Sequence, residues 1–126
     1  MKGWLDVQGK TQEKVYDVVW SGDRKAGADG KLPAVGSTVN VADASWTNTI
    51  GAPDLRAAWT DPAFNPAERA YYYVRVLEIP TPRWSAYDAK RFKVKPFKGT
   101  PMTTIERAYT SPIWYTPTAN AVAAKN

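Results

Sequence analysis

The fold is decided by residues 70–79, which read Ala-Tyr-Tyr-Tyr-Val-Arg-Val-Leu-Glu-Ile. Successive side chains of a β-strand point to opposite faces, so both faces of this stretch would carry aromatic or aliphatic side chains. Such a density of tyrosine and β-branched residues is typical of a central strand. Pro80 and Pro82 follow at once, and they end the strand because proline cannot donate to a ladder.

Shorter runs before this stretch also predict regular structure. Residues 3–8 and 13–20 alternate in a strand-like way with turn-like residues between them, so they predict a β-hairpin. Two further strands are expected at 38–42 and 45–50. A short helix is expected at 53–59, where Pro53 suits the first turn.

The chain after residue 79 predicts a long connection and then a second long strand. Residues 80–101 are irregular in pattern, with one helical turn around 87–92, and this connection is longer than most loops. Residues 105–115 return to a strand pattern with a bend at Ser111-Pro112. The sequence therefore predicts a mainly β fold: a single β-sandwich-like, immunoglobulin-like domain over residues 1–117, with one short helix, a long irregular insert and a flexible tail at 118–126.

Composition excludes several kinds of chemistry. The chain has no cysteine and no histidine, so it lacks thiolate ligands, disulfides and the commonest general base. No apolar run approaches the roughly 18 residues of a membrane span, so we expect no membrane insertion. The carboxylates are scattered without the paired spacing of a glycosidase. We therefore expect no catalytic residue, metal site or cofactor in this chain.

Glu78 is the carboxylate that the strand pattern would place deepest. Burial there would raise its pKa and make it a candidate acid or base. The more common arrangement is a pair with an arginine, and Arg75, Arg83 and Arg107 are available in the sequence.

The most conspicuous charge feature lies between residues 83 and 98, where six basic residues face a single acidic one, Asp88. Four aromatic residues are interleaved with them. Cations and stacking rings are the ingredients of single-strand nucleic-acid binding, but no nucleic-acid-binding fold surrounds the run, so nucleic acid is not expected as a partner. The alternatives are a solvated loop anchored by its rings or a docking surface for an acidic domain. The candidate binding residues are Arg83, Trp84, Tyr87, Lys90 and Arg91.

The six tryptophans permit two interpretations. Trp4, Trp20 and Trp114 lie within strand patterns and are expected in the core. Trp84 follows two prolines in an irregular segment and is expected to do something other than fill space. Some of these rings could instead form a stacking platform for sugars, which would make the chain a carbohydrate-binding sandwich.

Six blocks of sequence carry a resemblance to a known family. They are Lys-Gly-Trp-Leu-Asp at 2–6, Glu-Lys-Val-Tyr-Asp-Val at 13–18, Trp-Ser-Gly-Asp-Arg at 20–24, Trp-Thr-Asn-Thr-Ile-Gly-Ala-Pro at 46–53, Tyr-Tyr-Val-Arg-Val-Leu-Glu-Ile-Pro-Thr-Pro-Arg-Trp at 72–84 and Glu-Arg-Ala-Tyr-Thr-Ser-Pro-Ile-Trp-Tyr at 106–115. In this order they resemble the C-terminal end of a family of large bacterial proteins, the domain of unknown function 3604.

The resemblance implies a longer protein. Its preceding region would look like the PHP-type metal-dependent phosphoesterases, which hold divalent metals with histidines and carboxylates, and many members would be exported to the bacterial periplasm or envelope. None of that metal site carries over to this histidine-free chain. In the terminal β-sandwich that the resemblance implies, residues 70–79 pair with the strand at 108–115.

The function expected from the resemblance is that of a non-catalytic C-terminal accessory or structural module, with the upstream catalytic region as its partner. Arg83, Trp84 and Tyr87 would then face that region or its substrate. The alternative is an independent binding module that recognises glycan or an anionic polymer through residues 83–98. An accessory module should leave apolar surface exposed, whereas a free-standing binder should present a polar, basic groove.

Overall fold

The computed structural model of the chain describes residues 1–118, which are mainly β, with 22% of residues in strands and 8% in a single short helix, as predicted. The strands are β1 (Lys2–Leu5), β2 (Thr11–Lys14), β3 (Ala70–Tyr72), β4 (Arg75–Leu77), β5 (Thr81–Pro82), β6 (Thr103–Thr104), β7 (Arg107–Tyr109) and β8 (Ile113–Tyr115), and the helix is α1 (Trp84–Phe92). The immunoglobulin-like arrangement stays a prediction. The tail predicted at 118–126 lies outside the described residues, apart from Thr118.

Two groups of residues each make most of their contacts within themselves. Unit 1 comprises residues 1–18, 57–76 and 108–118, and unit 2 comprises residues 19–56 and 77–107. The prediction of a single domain over residues 1–117 stays a prediction.

Unit 1 is built on a four-stranded antiparallel sheet with the order β2-β1-β3-β8. The β1–β2 hairpin confirms the predicted one, and Asp6 closes its turn by accepting hydrogen bonds from the backbone N–H groups of Gln8 and Lys10 at 3.0 and 2.9 Å. The Gln12 side chain also donates to Asp6, at 2.9 Å. The predicted strand at 13–20 is wrong beyond Lys14, where β2 ends.

The stretch at 70–79 forms two strands rather than one. β3 pairs with β8 and β4 pairs with β7, so the predicted pairing with residues 108–115 is confirmed, while the single continuous strand is wrong. The interruption has a physical cause: Pro112 lies between β7 and β8 and has no N–H for a ladder. At the break, Val74 donates its N–H to Thr110 Oγ1 at 3.0 Å and accepts the Thr110 N–H at 3.0 Å.

Unit 2 contains α1 and a short antiparallel pair of strands, β5 and β6. The strands predicted at 38–42 and 45–50 are wrong, because the chain makes a single bridge there, between Asn40 and Ser45. The Asn40 side chain accepts the N–H groups of Ala42 and Asp43 and so favours a turn. The helix predicted at 53–59 is also wrong: those residues are exposed and bury no face, and so short a helix is not stable without packing.

Both units bury small side chains and leave large ones accessible. Among the described residues the buried hydrophobic ones are Ala44, Ala70 and Ala86, and no large side chain is fully buried. The predicted core positions of Trp20 and Trp114 are wrong, because these side chains are 36% and 72% exposed. Trp20 lies outside any strand, and Trp114 lies on β8 at the sheet edge.

Candidate functional site

Helix α1 is fixed at both ends by backbone contacts within unit 2. Arg83 precedes it in extended conformation, accepts the N–H of Ala86 at 2.9 Å, and donates its own N–H to the Met102 carbonyl at 2.9 Å. The Ser85 hydroxyl donates to the Pro101 carbonyl. The helix ends at Lys93, which adopts the left-handed conformation and donates its N–H to the Ala89 carbonyl.

The helix packs its small residues inward and turns its large ones outward. Ser85 and Ala86 are buried, whereas Trp84 is 63% exposed and Phe92 61% exposed. A surface helix ordinarily buries its large apolar side chains and exposes its polar ones. This helix differs from that pattern, because its large apolar side chains are exposed together with the charged Asp88, Lys90 and Arg91.

The predicted binding residues separate into two groups. Trp84, Tyr87 and Arg91 follow helical spacing and lie on one side of α1, and the Arg83 guanidinium lies 5.8 Å from the centre of the Trp84 ring. We call these four residues the outer face of α1. Lys90 is directed elsewhere, because its Nζ donates to the Asp43 carbonyl at 2.7 Å. The binding role of the five residues stays a prediction.

A second constellation, in unit 1, is a buried ion pair. Lys2 Nζ lies 2.6 Å from Asp61 Oδ2 and 2.8 Å from the Ala63 carbonyl oxygen, and the side chains of the pair are 4% and 5% exposed. The Tyr72 hydroxyl donates to the same Asp61 oxygen at 2.8 Å. The Lys2 ammonium also lies 5.0 Å from the centre of the Trp4 ring.

The electrostatics of this buried pair favour its ionised form. Burial acts to raise the pKa of Asp61, but the hydrogen bonds from Lys2, the Ala63 N–H and Tyr72, with the Lys2 charge, outweigh it and lower the pKa to about 2. Burial, the hydrogen bond to Asp61 and its charge raise the pKa of Tyr72. Burial and the Asp61 charge also raise the pKa of Tyr16.

The pair is suited to holding unit 1 together rather than to acid–base catalysis. Asp61 stays ionised at neutral pH and is surrounded by donors, so it is poorly placed to take up a proton. Sequence reasoning missed the pair because Lys2 and Asp61 are 59 residues apart and Asp61-Pro62 indicates a turn. The available signal was a lysine beside the apolar residues of β1.

The hypothesis that Glu78 is a buried carboxylate is wrong. Its side chain is exposed, and its backbone N–H bonds the Glu106 carbonyl at 3.0 Å. The chain leaves β4 at that point, so Glu78 is not enclosed by the sheet.

A family model described as a protein of unknown function, DUF3604, matches residues 1–117. The chain belongs to this family. No curated protein and no solved structure matches the chain.

The divalent-metal site that the family resemblance implies does not fit this DUF3604 chain. It has no histidine and no cysteine, and within residues 1–118 no three acidic side chains come together as a metal site would require. In the same described range, no helix is long and apolar enough to cross a membrane.

Proposed function

We propose that this chain is a non-catalytic accessory module of a larger metal-dependent hydrolase, and that the outer face of α1 packs against the catalytic region of that protein. The observation that carries the proposal is the orientation of α1, which buries Ser85 and Ala86 and exposes Trp84 and Tyr87. Exposed aromatic side chains beside arginines are typical of the centre of protein interfaces.

The charge of the segment indicates the character of the partner surface. Six basic residues and one acidic residue lie between 83 and 98, so the surface that covers them would be acidic. The proposal extends to three features implied by the family resemblance: a C-terminal position in the longer protein, a PHP-like phosphoesterase region upstream, and a bacterial periplasmic or envelope location.

The proposal is tested by comparing two proteins, this chain and the longer protein of which it would form part. With manganese or zinc added, hydrolysis of a generic phosphodiester is expected from the longer protein and not from this chain. Hydrolysis by this chain would overturn the non-catalytic assignment.

Substitution then tests the docking surface. Trp84→Ala is expected to leave the melting temperature of the isolated chain unchanged, because its side chain is 63% exposed there, and to lower the melting temperature or activity of the longer protein. Arg83→Ala is expected to give the same two results, an unchanged melting temperature of the isolated chain and a lower melting temperature or activity of the longer protein. Lys25→Ala, at an exposed lysine of another loop in unit 2, is the control and should change neither protein. Trp84→Ala without effect in either protein would contradict the docking role.

A second candidate function is independent binding of glycan or an anionic polymer through residues 83–98. The observation that favours it is that Phe97 is 92% exposed and the Arg91 guanidinium lies 5.6 Å from the Phe92 ring centre, so rings and cations are displayed together. Binding of dextran sulfate that weakens steeply with salt, with no binding of neutral dextran, would support the anionic ligand. Binding of neither polymer would leave the accessory role as the better explanation.

A further inference from the structure

The two faces of the four-stranded sheet in unit 1 differ sharply. One face carries Lys2 and Tyr72, and against it lie Asp61, Trp59 and Phe64 from the segment between β2 and β3. The opposite face carries Gly3, Tyr71 and Trp114, which the strand register places side by side on three neighbouring strands. This second face is the one with an unassigned role.

Four aromatic rings form a continuous row along that face and the strand pair beside it. Successive ring centres are 5.2 Å apart from Trp114 to Tyr71, 6.4 Å from Tyr71 to Tyr73, and 6.1 Å from Tyr73 to Tyr109. The planes of the central two rings are within 6° of parallel, and the outer rings are tilted by 43° and 40°. We call these four residues the aromatic row.

The Tyr71 ring lies over the neighbouring strand β1 instead of projecting straight out from the sheet. A Cβ atom added at Gly3 would collide with the edge of the Tyr71 ring. Glycine at this position is what lets the ring lie across β1 with its face directed away from the sheet. Trp114 and Tyr109 are 72% and 58% exposed, so the ends of the row are also open to solvent.

The polar groups of the row are available to a ligand. Within residues 1–118 the Tyr16 hydroxyl is the one buried side-chain oxygen without a hydrogen-bond partner, so the hydroxyl groups of Tyr71, Tyr73 and Tyr109 are not buried without a partner. On the other face, by contrast, the Tyr72 hydroxyl bonds Asp61 and the Tyr115 hydroxyl bonds the Pro66 carbonyl. The tyrosines of the row therefore offer a ring face together with a hydroxyl at its tip.

The charge of unit 1 as a whole gives no preference for an anion. The row itself contains no acidic or basic residue, and in residues 1–18, 57–76 and 108–118 five basic side chains are balanced by five acidic ones. The charges next to the row are the Met1 ammonium, which donates to the Tyr73 carbonyl at 3.0 Å, and Arg75 beside it. The balance of charge in unit 1 contrasts with the excess of positive charge at 83–98. A polyanion would be drawn to that segment instead of to the row.

We propose that the aromatic row is a binding platform for a neutral glycan chain. Pyranose rings have apolar C–H faces that stack on aromatic rings and hydroxyl edges that pair with tyrosine hydroxyls, so they match the row in both properties. A row of three ring-to-ring steps is long enough to contact more than one sugar ring of an oligosaccharide. The inference goes beyond the accessory role and does not rest on it.

The test uses this chain with three neutral hexasaccharides as probes: a β-1,4-glucan, a β-1,4-xylan and a β-1,3-glucan. Titration calorimetry is expected to detect at least one of them, with a change in tryptophan fluorescence on binding. Trp114→Ala should weaken the dissociation constant tenfold or more. Tyr71→Phe, which keeps the ring and removes the hydroxyl, should weaken it less than Trp114→Ala does.

The chain supplies a closely matched control in Ile113→Ala. Ile113 neighbours Trp114 on β8, has the same 72% exposure and points to the opposite face, so its removal should leave binding unchanged. Equal losses in the two variants, or no binding of any hexasaccharide, would overturn the proposal. Loss of binding on Trp84→Ala with retention on Trp114→Ala would overturn it too, in favour of the helix. The proposal would also be overturned if Trp114→Ala lowered the melting temperature of the longer protein but not that of this chain, because the row would then be covered by protein.

Discussion

Lys2 is the residue whose surroundings differ most from those usual for its type. Lysine is almost never fully buried without a partner, because removing an ammonium group from water is costly. Here a carboxylate, a backbone carbonyl and an aromatic ring compensate that cost together, and Lys2 stays 4% exposed in a central strand. The pair joins β1 to the segment that follows residue 56, so its loss should be felt throughout unit 1.

Asp61→Asn is expected to destabilise the protein strongly. The substitution leaves the Lys2 ammonium buried without a counter-charge, and breaking a buried pair in this way typically lowers the free energy of unfolding by about 3 kcal/mol. Denaturant unfolding followed by tryptophan fluorescence measures it. The control is Asp54→Asn, which breaks an ion pair with Arg56 whose side chains are 69% and 91% exposed, and it should cost less than about 0.5 kcal/mol. Equal costs would contradict the role of the buried pair.

The same carboxylate predicts how stability falls in acid. The pKa of Asp61 is about 2 in the folded chain against an ordinary 3.8, so its contribution is fully present above about pH 4 and is lost as the pH falls towards 2. Unfolding free energies measured between pH 5 and pH 2 should therefore fall more steeply for the native chain than for Asp61→Asn. Parallel curves for the two proteins would show that Asp61 does not titrate as its contacts require.

At the scale of the elements, α1 is positioned by side-chain packing, whereas the strands at 70–79 and 107–115 are held together by hydrogen bonds. The helix contacts unit 2 through small side chains, so close approach of its backbone sets its position. The strands 70–79 and 107–115 keep their pairing across an interruption, because a threonine hydroxyl takes the place of a ladder acceptor opposite Val74.

Enlarging a small residue of α1 should cost more than changing a large one. Ala86 is fully buried, so Ala86→Leu forces extra volume into a packed contact and is expected to lower the free energy of unfolding by about 2 kcal/mol. Asp88→Leu adds a leucine to an exposed position of the same helix and should cost less than about 0.5 kcal/mol. Thermal unfolding of both variants measures the difference, and a larger cost for Asp88→Leu would mean that the helix is turned the other way.

Thr110 should matter through its hydroxyl. Thr110→Val leaves the Val74 N–H without its acceptor, and the loss of one hydrogen bond is expected to cost about 1 kcal/mol at most, because water partly replaces it. Thr110→Ser keeps the hydroxyl and serves as the control. Amide hydrogen exchange at Val74 should accelerate in the valine variant alone; unchanged exchange there would show that the bond does not protect this amide.

The elements that could be predicted from the sequence are those whose evidence is local or repeated. The hairpin and the strand at 70–79 were predicted from alternation, and the partner of that strand from the family resemblance. The strands predicted at 38–42 and 45–50 are wrong because the hydrogen bonds of the Asn40 side chain favour a turn there. The helix predicted at 53–59 is wrong because its residues are exposed and a helix there would bury no apolar face. The Lys2–Asp61 pair and the aromatic row depend on strand register between distant residues, which a single sequence does not encode in any local pattern.

At the scale of the whole molecule, the dominant feature is apolar surface. Both units leave tryptophan, phenylalanine and branched aliphatic side chains more than one third exposed, and the buried hydrophobic residues within 1–118 are alanines. Contiguous exposed apolar area on a monomer marks interaction sites or a tendency to associate. This surface is what the accessory role would use.

The isolated chain is therefore expected to self-associate as its concentration rises. Sedimentation velocity should show a growing share of larger species. Replacing the two most exposed aromatic residues between 83 and 98 by lysine, in the double variant Trp84→Lys with Phe97→Lys, should reduce that share. A chain that stays monomeric at high concentration would contradict the prediction.

The burial of Lys2 also makes it a built-in reporter. Amine-acylating reagents modify lysines that solvent reaches, so the exposed lysines at 93, 95 and 98 should be labelled quickly and Lys2 only when the sheet of unit 1 opens. The peptide that holds Lys2 also carries the Met1 amine, so the second acyl group that it gains, followed over time, would measure that opening. This gain could be read in a crude extract, and any ligand or partner that holds the sheet closed would slow it.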